Sequence, residues 1–100
     1  MESIAVVSIV GDKCTGYSEG QTVFDVLDGF LSKGISVEVN MAGVAFSSSS
    51  FYNAAFGELI LKYDLVFLKD KLHFKNLSAK DKFLLSKSVS FAKKMKVEAA

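Results

Sequence analysis

The stretch ISVEVNMAGVAFSSSSFYNAAFGELILKY, residues 35–63, combines a strand pattern, a run of four serines and a helix pattern. Apolar and polar residues alternate from Ile35 to Met41, which is typical of a strand with one buried face or of a strand near a sheet edge. The segment from Phe51 to Tyr63 is long and apolar nearly all round, which favours a buried helix. The stretch therefore predicts a strand, a serine-rich turn and a helix in succession.

The residues before this stretch predict a further strand and helix. Ser3–Val10 is apolar on both alternating faces, as in a strand that is covered on both sides. A loop follows from Gly11 to Gly20, and Ser18 with Gln21 three residues later forms a capping box at which we expect a helix to begin. We expect Gly34 to end this helix.

The residues after the stretch predict a short strand and a final helix. Leu72–Leu77 is expected to be a strand, whereas the pattern of Leu65–Leu68 leaves strand or another structure open. Ser78, with Asp81 in the first turn, is expected to start the last helix. Residues 1–100 are therefore expected to form one α/β domain, in which helices pack against a mixed β-sheet of about four strands.

Composition limits the classes of function. One hundred residues, half of them hydrophobic, suffice for one domain with its own core. No apolar run approaches the about 20 residues of a membrane-spanning helix, and the first residues do not resemble a secretion signal. We therefore expect a cytoplasmic protein without a membrane partner.

Charge is unevenly distributed along the chain. Residues 1–60 contain seven carboxylates and two lysines, whereas residues 61–100 contain four carboxylates and ten lysines. A basic half can bind nucleic acid, but every cation is a lysine, and base readout by bidentate arginine is excluded. A solvated helix surface is the default interpretation, and a nucleic-acid accessory role is the less favoured one.

The residues do not form a recognisable catalytic, metal or cofactor site. His73 is the only histidine and Cys14 the only cysteine, so neither a Ser–His pair nor a metal-ligand spacing is indicated. The glycines of the Gly11–Gly20 loop match neither a dinucleotide nor a Walker motif. We expect no enzyme activity, no metal and no cofactor.

The four serines, Ser47–Ser50, are the most informative polar group. A hydroxyl at the start of a helix lies among unpaired N–H groups, where a phosphate added to serine would be stabilised. The alternative is that these serines only cap the helix and line the turn. Beyond them, small side chains form a stripe on the helix at which another backbone could approach: Ser50, Asn53, Ala54 and Gly57. Asn53 is expected to contact either a neighbouring loop or a partner.

Three segments resemble the bacterial STAS-like domain family. They are VEVNMAGVAFSSSSF, YNAAFGEL and FKNLSAKDKFLL, and the similarity extends over residues 11 to about 95. The related STAS domains include anti-sigma factor antagonists, in which a partner kinase with a histidine-kinase-like ATPase fold phosphorylates a serine at the start of a helix. The resemblance implies a STAS-like domain that binds proteins, and it places the phosphorylation candidate at Ser50, with Ser49 before it. The antagonists usually have Asp and Gly where this chain has Ser48 and Phe51.

Two hypotheses follow for the function. The first is a regulatory protein-binding module, switched by serine phosphorylation, whose partner is an ATPase of that kind or a larger complex. The second is a constitutive interaction or inhibitor protein of a mobile genetic element, without a switch. A homodimer is left open. In both hypotheses the partner-binding candidates are Ser47, Ser48, Ser49, Ser50, Phe51, Asn53, Ala54 and Gly57.

Overall fold

The computed structural model describes residues 1–99, with side chains through residue 97. Helices and strands follow one another as β1 (Glu2–Ala5), α1 (Val6–Val10), β2 (Lys13–Cys14), α2 (Tyr17–Leu31), β3 (Val37–Asn40), β4 (Phe46–Ser47), α3 (Ser49–Tyr52), a π-helical turn (Asn53–Gly57), α4 (Glu58–Lys62), α5 (Leu65–Lys71), β5 (Leu72–Lys75) and α6 (Ala79–Ala99). The α3 segment, the π-helical turn and α4 are continuous and together form the central helix, residues 49–62. None of the helices within residues 1–99 has both the length and the apolarity needed to cross a membrane.

The α/β class is confirmed, and the strands form two parallel sheets. One sheet has the order β1-β3-β5 and the other pairs β2 with β4. Every pairing is parallel, because a helix-containing connection separates the paired strands along the chain. The sheet thus differs in detail from the mixed sheet of about four strands that the sequence suggested.

The first apolar segment is a strand only in its first half. The strand predicted over Ser3–Val10 ends at Ala5, and the chain continues as the short helix α1. Val6 in α1 is fully buried, and Ile9 and Val10 pack against the core. A short apolar run fits a strand and a buried helical turn equally well, so its pattern could not locate this boundary.

The second helix exists as predicted but begins earlier. It starts at Tyr17 after Gly16, and the Ser18 hydroxyl donates to the Glu19 carboxylate (2.8 Å) instead of capping the helix. The capping box predicted at Ser18 and Gln21 is therefore wrong. The helix ends at Leu31, before Gly34, which adopts a positive φ of 73°.

Strand β3 has one fully buried face but does not lie at a sheet edge. Val37 and Val39 are buried, whereas Glu38 and Asn40 are half-buried, which confirms the predicted alternation. The strand lies in the middle of its sheet, between β1 and β5. The structure thus selects the half-buried alternative.

The later elements agree with most of the predictions. The central helix extends over residues 49–62, close to the predicted helix, and its Phe56 ring packs on Phe74 of β5 with centroids 5.1 Å apart. The segment Leu65–Leu68, which the sequence left open, is helical, and Asp64 caps it by accepting from the Val66 amide (2.9 Å). Strand β5 is confirmed, as is the start of α6 at Ser78, whose hydroxyl accepts from the Asp81 amide (3.1 Å).

Candidate functional site

The serine corner, residues 47–53, joins β4 to the central helix. Strand β4 pairs with β2, with Phe46 opposite Lys13 and Ser47 opposite Cys14. The Ser48 amide continues this pairing by donating to the Cys14 carbonyl (3.1 Å). The pairing fixes the direction in which the chain enters the helix, so the corner has a defined backbone.

Ser47 is held by a buried carboxylate of the last helix. Its hydroxyl donates to Asp81 Oδ1 (2.5 Å), and the Ser78 hydroxyl donates to Asp81 Oδ2 (2.9 Å). Asp81 is only 6% exposed and lies in the first turn of α6. The hydroxyl of Ser47 thus ties the corner to α6.

Ser48 is the N-cap of the central helix. Its hydroxyl accepts from the Phe51 amide (3.3 Å) and donates to the Thr15 carbonyl (2.8 Å). One side chain therefore satisfies a free amide of the helix and ties the corner to the loop after β2. Like Ser47, Ser48 is half-buried and has a structural hydrogen bond.

Ser49 and Ser50 differ from the two serines before them. Both are exposed in the first turn of the central helix, and neither side chain makes a hydrogen bond within residues 1–97. Their hydroxyls lie beside the first amides of the helix, where negative charge is favourable. Of the four serines, these two are accessible to another molecule.

Three of the partner-binding candidates are buried inside the chain. Phe51 and Ala54 have no exposed surface, and Gly57 is buried as well. Gly20 of α2 lies so close to Ala54 that a Cβ added at Gly20 would be 2.6 Å from the Ala54 Cβ. The backbone that approaches the small-residue stripe at Ala54 is therefore that of α2.

Asn53 is exposed and belongs to the π-helical turn. Its Oδ1 accepts from the Ser88 hydroxyl of α6 (2.6 Å), so the amide contacts a neighbouring helix within the chain. A π-helical turn inside an α-helix is uncommon and is found often at functional sites. The accessible part of the corner consists of Ser49, Ser50 and Asn53.

A buried polar cluster beneath the corner was missed at the sequence level. It consists of Asp81 together with Cys14 and Tyr52, which are both fully buried. Burial, followed by the charge of Asp81, raises the pKa of Cys14 to about 11 and also raises the pKa of Tyr52. The Tyr52 hydroxyl has no hydrogen-bond partner among the described residues. The Ser78–Asp81 capping pattern pointed to Asp81, but nothing in it indicated a contact with Ser47.

The single histidine of the chain lies outside the serine corner. His73 lies on β5, where it is exposed and its Nε2 contacts the Asp70 carbonyl (2.9 Å) instead of a serine. Within the part of the chain that the structure describes, no group of three or more His, Cys, Asp or Glu residues is placed to hold a metal ion. What the corner offers a partner is two free hydroxyls, an exposed amide and the start of a helix.

A family model described as a STAS-like domain of unknown function matches residues 19–82. The matched segment contains α2 from Glu19 onward, the strands β3 to β5, the whole serine corner and Asp81. No curated protein and no solved structure shows significant similarity to the chain.

Proposed function

The chain belongs to the family of STAS-like domains, and we propose that it is a non-catalytic regulatory module that binds a protein partner through the serine corner. The observation that carries this proposal is that the four serines have different roles in the structure. Ser47 and Ser48 hold the corner in place, whereas Ser49 and Ser50 present their hydroxyls to solvent. A rigid corner with free polar groups is a preorganised contact surface, and preorganisation lowers the entropy cost of binding.

Phosphorylation of Ser50 is the proposed switch. A phosphate there adds close to two negative charges in the first turn of the central helix, where the helix amides tolerate it. The same charge and bulk oppose a close contact with a partner. The fold is thereby preserved while binding is lost, as a reversible switch requires.

A kinase-like ATPase is the proposed partner, and the resemblance to anti-sigma factor antagonists supports it. The constitutive alternative has one observation in its favour. The antagonists usually have Asp and Gly at the positions of Ser48 and Phe51, whereas here Ser48 caps the helix and Phe51 is fully buried. Anchored in this way, the corner can bind a partner without any modification.

The test of the switch uses three variants in calorimetric titrations with the partner. The partner is first identified by mass spectrometry after a pull-down of the tagged chain from its native host. We expect Ser50→Ala to keep the wild-type affinity and Ser50→Asp to weaken it by about tenfold or more, since added charge opposes the contact. Ser86→Asp is the matched control, because Ser86 is an exposed serine of α6 outside the corner.

The outcomes separate the two functions. A bait mass raised by one phosphate on the serine run, together with weak binding of Ser50→Asp, would support the switch. Equal affinities of Ser50→Ala and Ser50→Asp would refute it and leave constitutive binding. If Ser86→Asp weakens binding as much as Ser50→Asp does, the corner is not the contact surface.

A further inference from the structure

The central helix lies between α2 and α6 and separates them. It contacts α2 on one side and α6 on the other. All three helices run in the same direction: the α2 contacts advance from Gly20 at Ala54 to Asp28 at Lys62, and the α6 contacts advance from Ser88 at Asn53 to Lys96 at Ile60. The outer surface of α2, the central helix and α6 is the helical face.

The two sides of the helical face carry opposite charges. Helix α2 contains three carboxylates and no lysine. Helix α6 contains six lysines between residues 79 and 97, and its single carboxylate there, Asp81, is buried. Lys80, Lys87 and Lys94 are seven residues apart, so they lie along one line of the helix. Lys87 lines the groove between α6 and the central helix, which indicates that this line faces that groove.

The helical face also carries exposed aromatic side chains. On the α6 side, Phe83 and Phe91 are 59% and 58% exposed and line a groove of about 270 Å³ against the central helix. Lys87 lies between them, with its Nζ 5.3 Å from the centroid of the Phe83 ring. On the α2 side, Tyr17 is 51% exposed in a groove that contains Asp25 and Glu58. Exposed aromatic rings beside charged groups are typical of protein–protein interfaces.

We infer that the helical face binds a second copy of this chain, in a dimer whose two-fold axis runs along the central helix. This axis places the acidic α2 of each copy opposite the basic α6 of the other, so the dimer contains two equivalent α2–α6 contacts. A two-fold axis across the helices would instead oppose α2 to α2 and α6 to α6, which like charges disfavour. The inference does not depend on the proposed partner or on the Ser50 switch.

The parallel course of the helices identifies one pair of charges across the interface. Asp28 contacts Lys62, and Asp25 lies about one turn before Asp28 in α2. Lys96 contacts the Ile60 carbonyl, and Lys94 lies shortly before Lys96 in α6. Asp25 and Lys94 therefore lie at the same height, on opposite sides of the central helix. Because an axis along the helices preserves height, Asp25 of one copy faces Lys94 of the other.

The interface also covers the exposed part of the serine corner. Ser50 is exposed in the first turn of the central helix, so an axis along this helix brings the two copies of Ser50 toward each other. Glu58 lies in the groove beside Asp25, so the same axis places it opposite α6 of the other copy. The dimer and the proposed partner thus use overlapping surfaces, and binding of one excludes the other.

The experiment is sedimentation equilibrium of the purified, unphosphorylated full chain from about 1 µM to about 1 mM. We expect a monomer–dimer equilibrium that weakens between about 0.05 and 0.5 M salt, because facing charges are screened. Asp25→Lys and Lys94→Glu are each expected to weaken the dimer by about tenfold or more. The double variant Asp25→Lys/Lys94→Glu restores opposite charges across both contacts and is expected to regain the wild-type affinity. Lys82→Glu, on the other side of α6, is the control that leaves the dimer unchanged.

Three results would overturn the inference. A monomer at every concentration would show that no second copy binds and would leave the helical face to a different protein. A dimer that neither single variant weakens would have another interface. A double variant that stays as weak as the single variants would exclude the facing of Asp25 and Lys94. Circular dichroism of each variant tests whether the chain is folded, and the three substituted side chains, Asp25, Lys82 and Lys94, are all on the surface.

Discussion

The two sides of the central helix are built on different principles. On the α2 side the contact is close and largely apolar: Gly20 packs directly against Ala54 and the Phe51 carbonyl, and Val23 and Leu27 are fully buried. Such a contact is stabilised by burial and by close packing of backbones. It leaves no room for an added methyl group at Gly20.

On the α6 side polar side chains add to the apolar contacts that Leu85, Val89 and Ala92 make with the core. Ser88 donates to Asn53, Ser47 donates to Asp81, and a groove lined by Phe83 and Phe91 stays open to solvent. Hydrogen bonds of this kind orient the helices and contribute about 0.5–3 kcal/mol each, with the larger values where a charged group takes part. The α2 contact is therefore fixed by close packing of backbones, whereas the α6 contact is also oriented by hydrogen bonds between side chains.

The largest effect is expected from the addition of a methyl group at Gly20. A Cβ at this position would lie 2.6 Å from the Phe51 carbonyl oxygen, so Gly20→Ala forces α2 away from the central helix. We expect the free energy of unfolding in urea to fall by about 3 kcal/mol. Gly29→Ala in the same helix is the matched control, because a Cβ there meets nothing within 4 Å.

Gly29→Ala is expected to stabilise the chain by about 0.5–1 kcal/mol, since alanine favours a helix. A Gly20→Ala variant as stable as Gly29→Ala would contradict the close contact on the α2 side. It would also remove the difference between the two sides of the central helix.

Elements with a clear periodic pattern were more accessible to prediction from the sequence than short apolar runs. Helical spacing of apolar residues identified α2 and the central helix, and alternation identified β3, because both patterns report which face is buried. The β-branched residues of Val6–Val10 favour a strand by local preference, but this segment is the helix α1. Tertiary packing overrides the local preference there. The helix Leu65–Lys71 was left open for the same reason, because a short apolar run fits either structure.

The candidate site could be predicted in part. The serine run was identified from its position at the start of a helix and Asn53 from its place in the stripe of small side chains, and the structure distinguishes Ser49 and Ser50 by their exposure. The tie between Ser47 and Asp81 joins residues 34 positions apart, and no local pattern encodes such a contact. The buried Cys14 and Tyr52 escaped notice for the same reason.

Removal of the Asp81 carboxylate is expected to have the next largest effect. Asp81→Ala removes the acceptor of the Ser47 and Ser78 hydroxyls, and hydrogen bonds to a charged group are stronger than neutral ones. We expect a loss of about 2 kcal/mol in the free energy of unfolding. Hydrogen exchange of the amides in the serine corner should accelerate as well, because the corner loses its tie to α6.

Asp70→Ala is the control for this variant, because the Asp70 side chain is 75% exposed and its change should stay within about 0.5 kcal/mol. If Asp81→Ala is as stable as Asp70→Ala, the polar cluster is not what holds the corner to α6. Faster exchange confined to α2 would likewise contradict the assignment of the tie to this side.

The smallest effect is expected at Asp28 of α2, whose carboxylate accepts hydrogen bonds from Tyr63 and Lys62 at the surface. The hydrogen bond from Tyr63 has the larger effect and the hydrogen bond from Lys62 the next largest, and both lower the pKa of Asp28 below its ordinary value of 3.8. As the pH falls, the unfolded chain therefore takes up this proton before the folded chain does. The stability that this contact contributes is complete above pH 3.8 and is lost as the pH falls through the lowered pKa. Because the contact lies at the surface, we expect it to contribute less than about 1 kcal/mol.

Urea unfolding of the wild type and of Asp28→Asn from about pH 7 to about pH 2 measures this contribution. We expect the free energy of unfolding to fall more steeply with decreasing pH in the wild type than in Asp28→Asn. Asp70→Asn, at an exposed position, should keep the wild-type slope. An Asp28→Asn variant that also keeps this slope would show that the α2 side is held by packing alone.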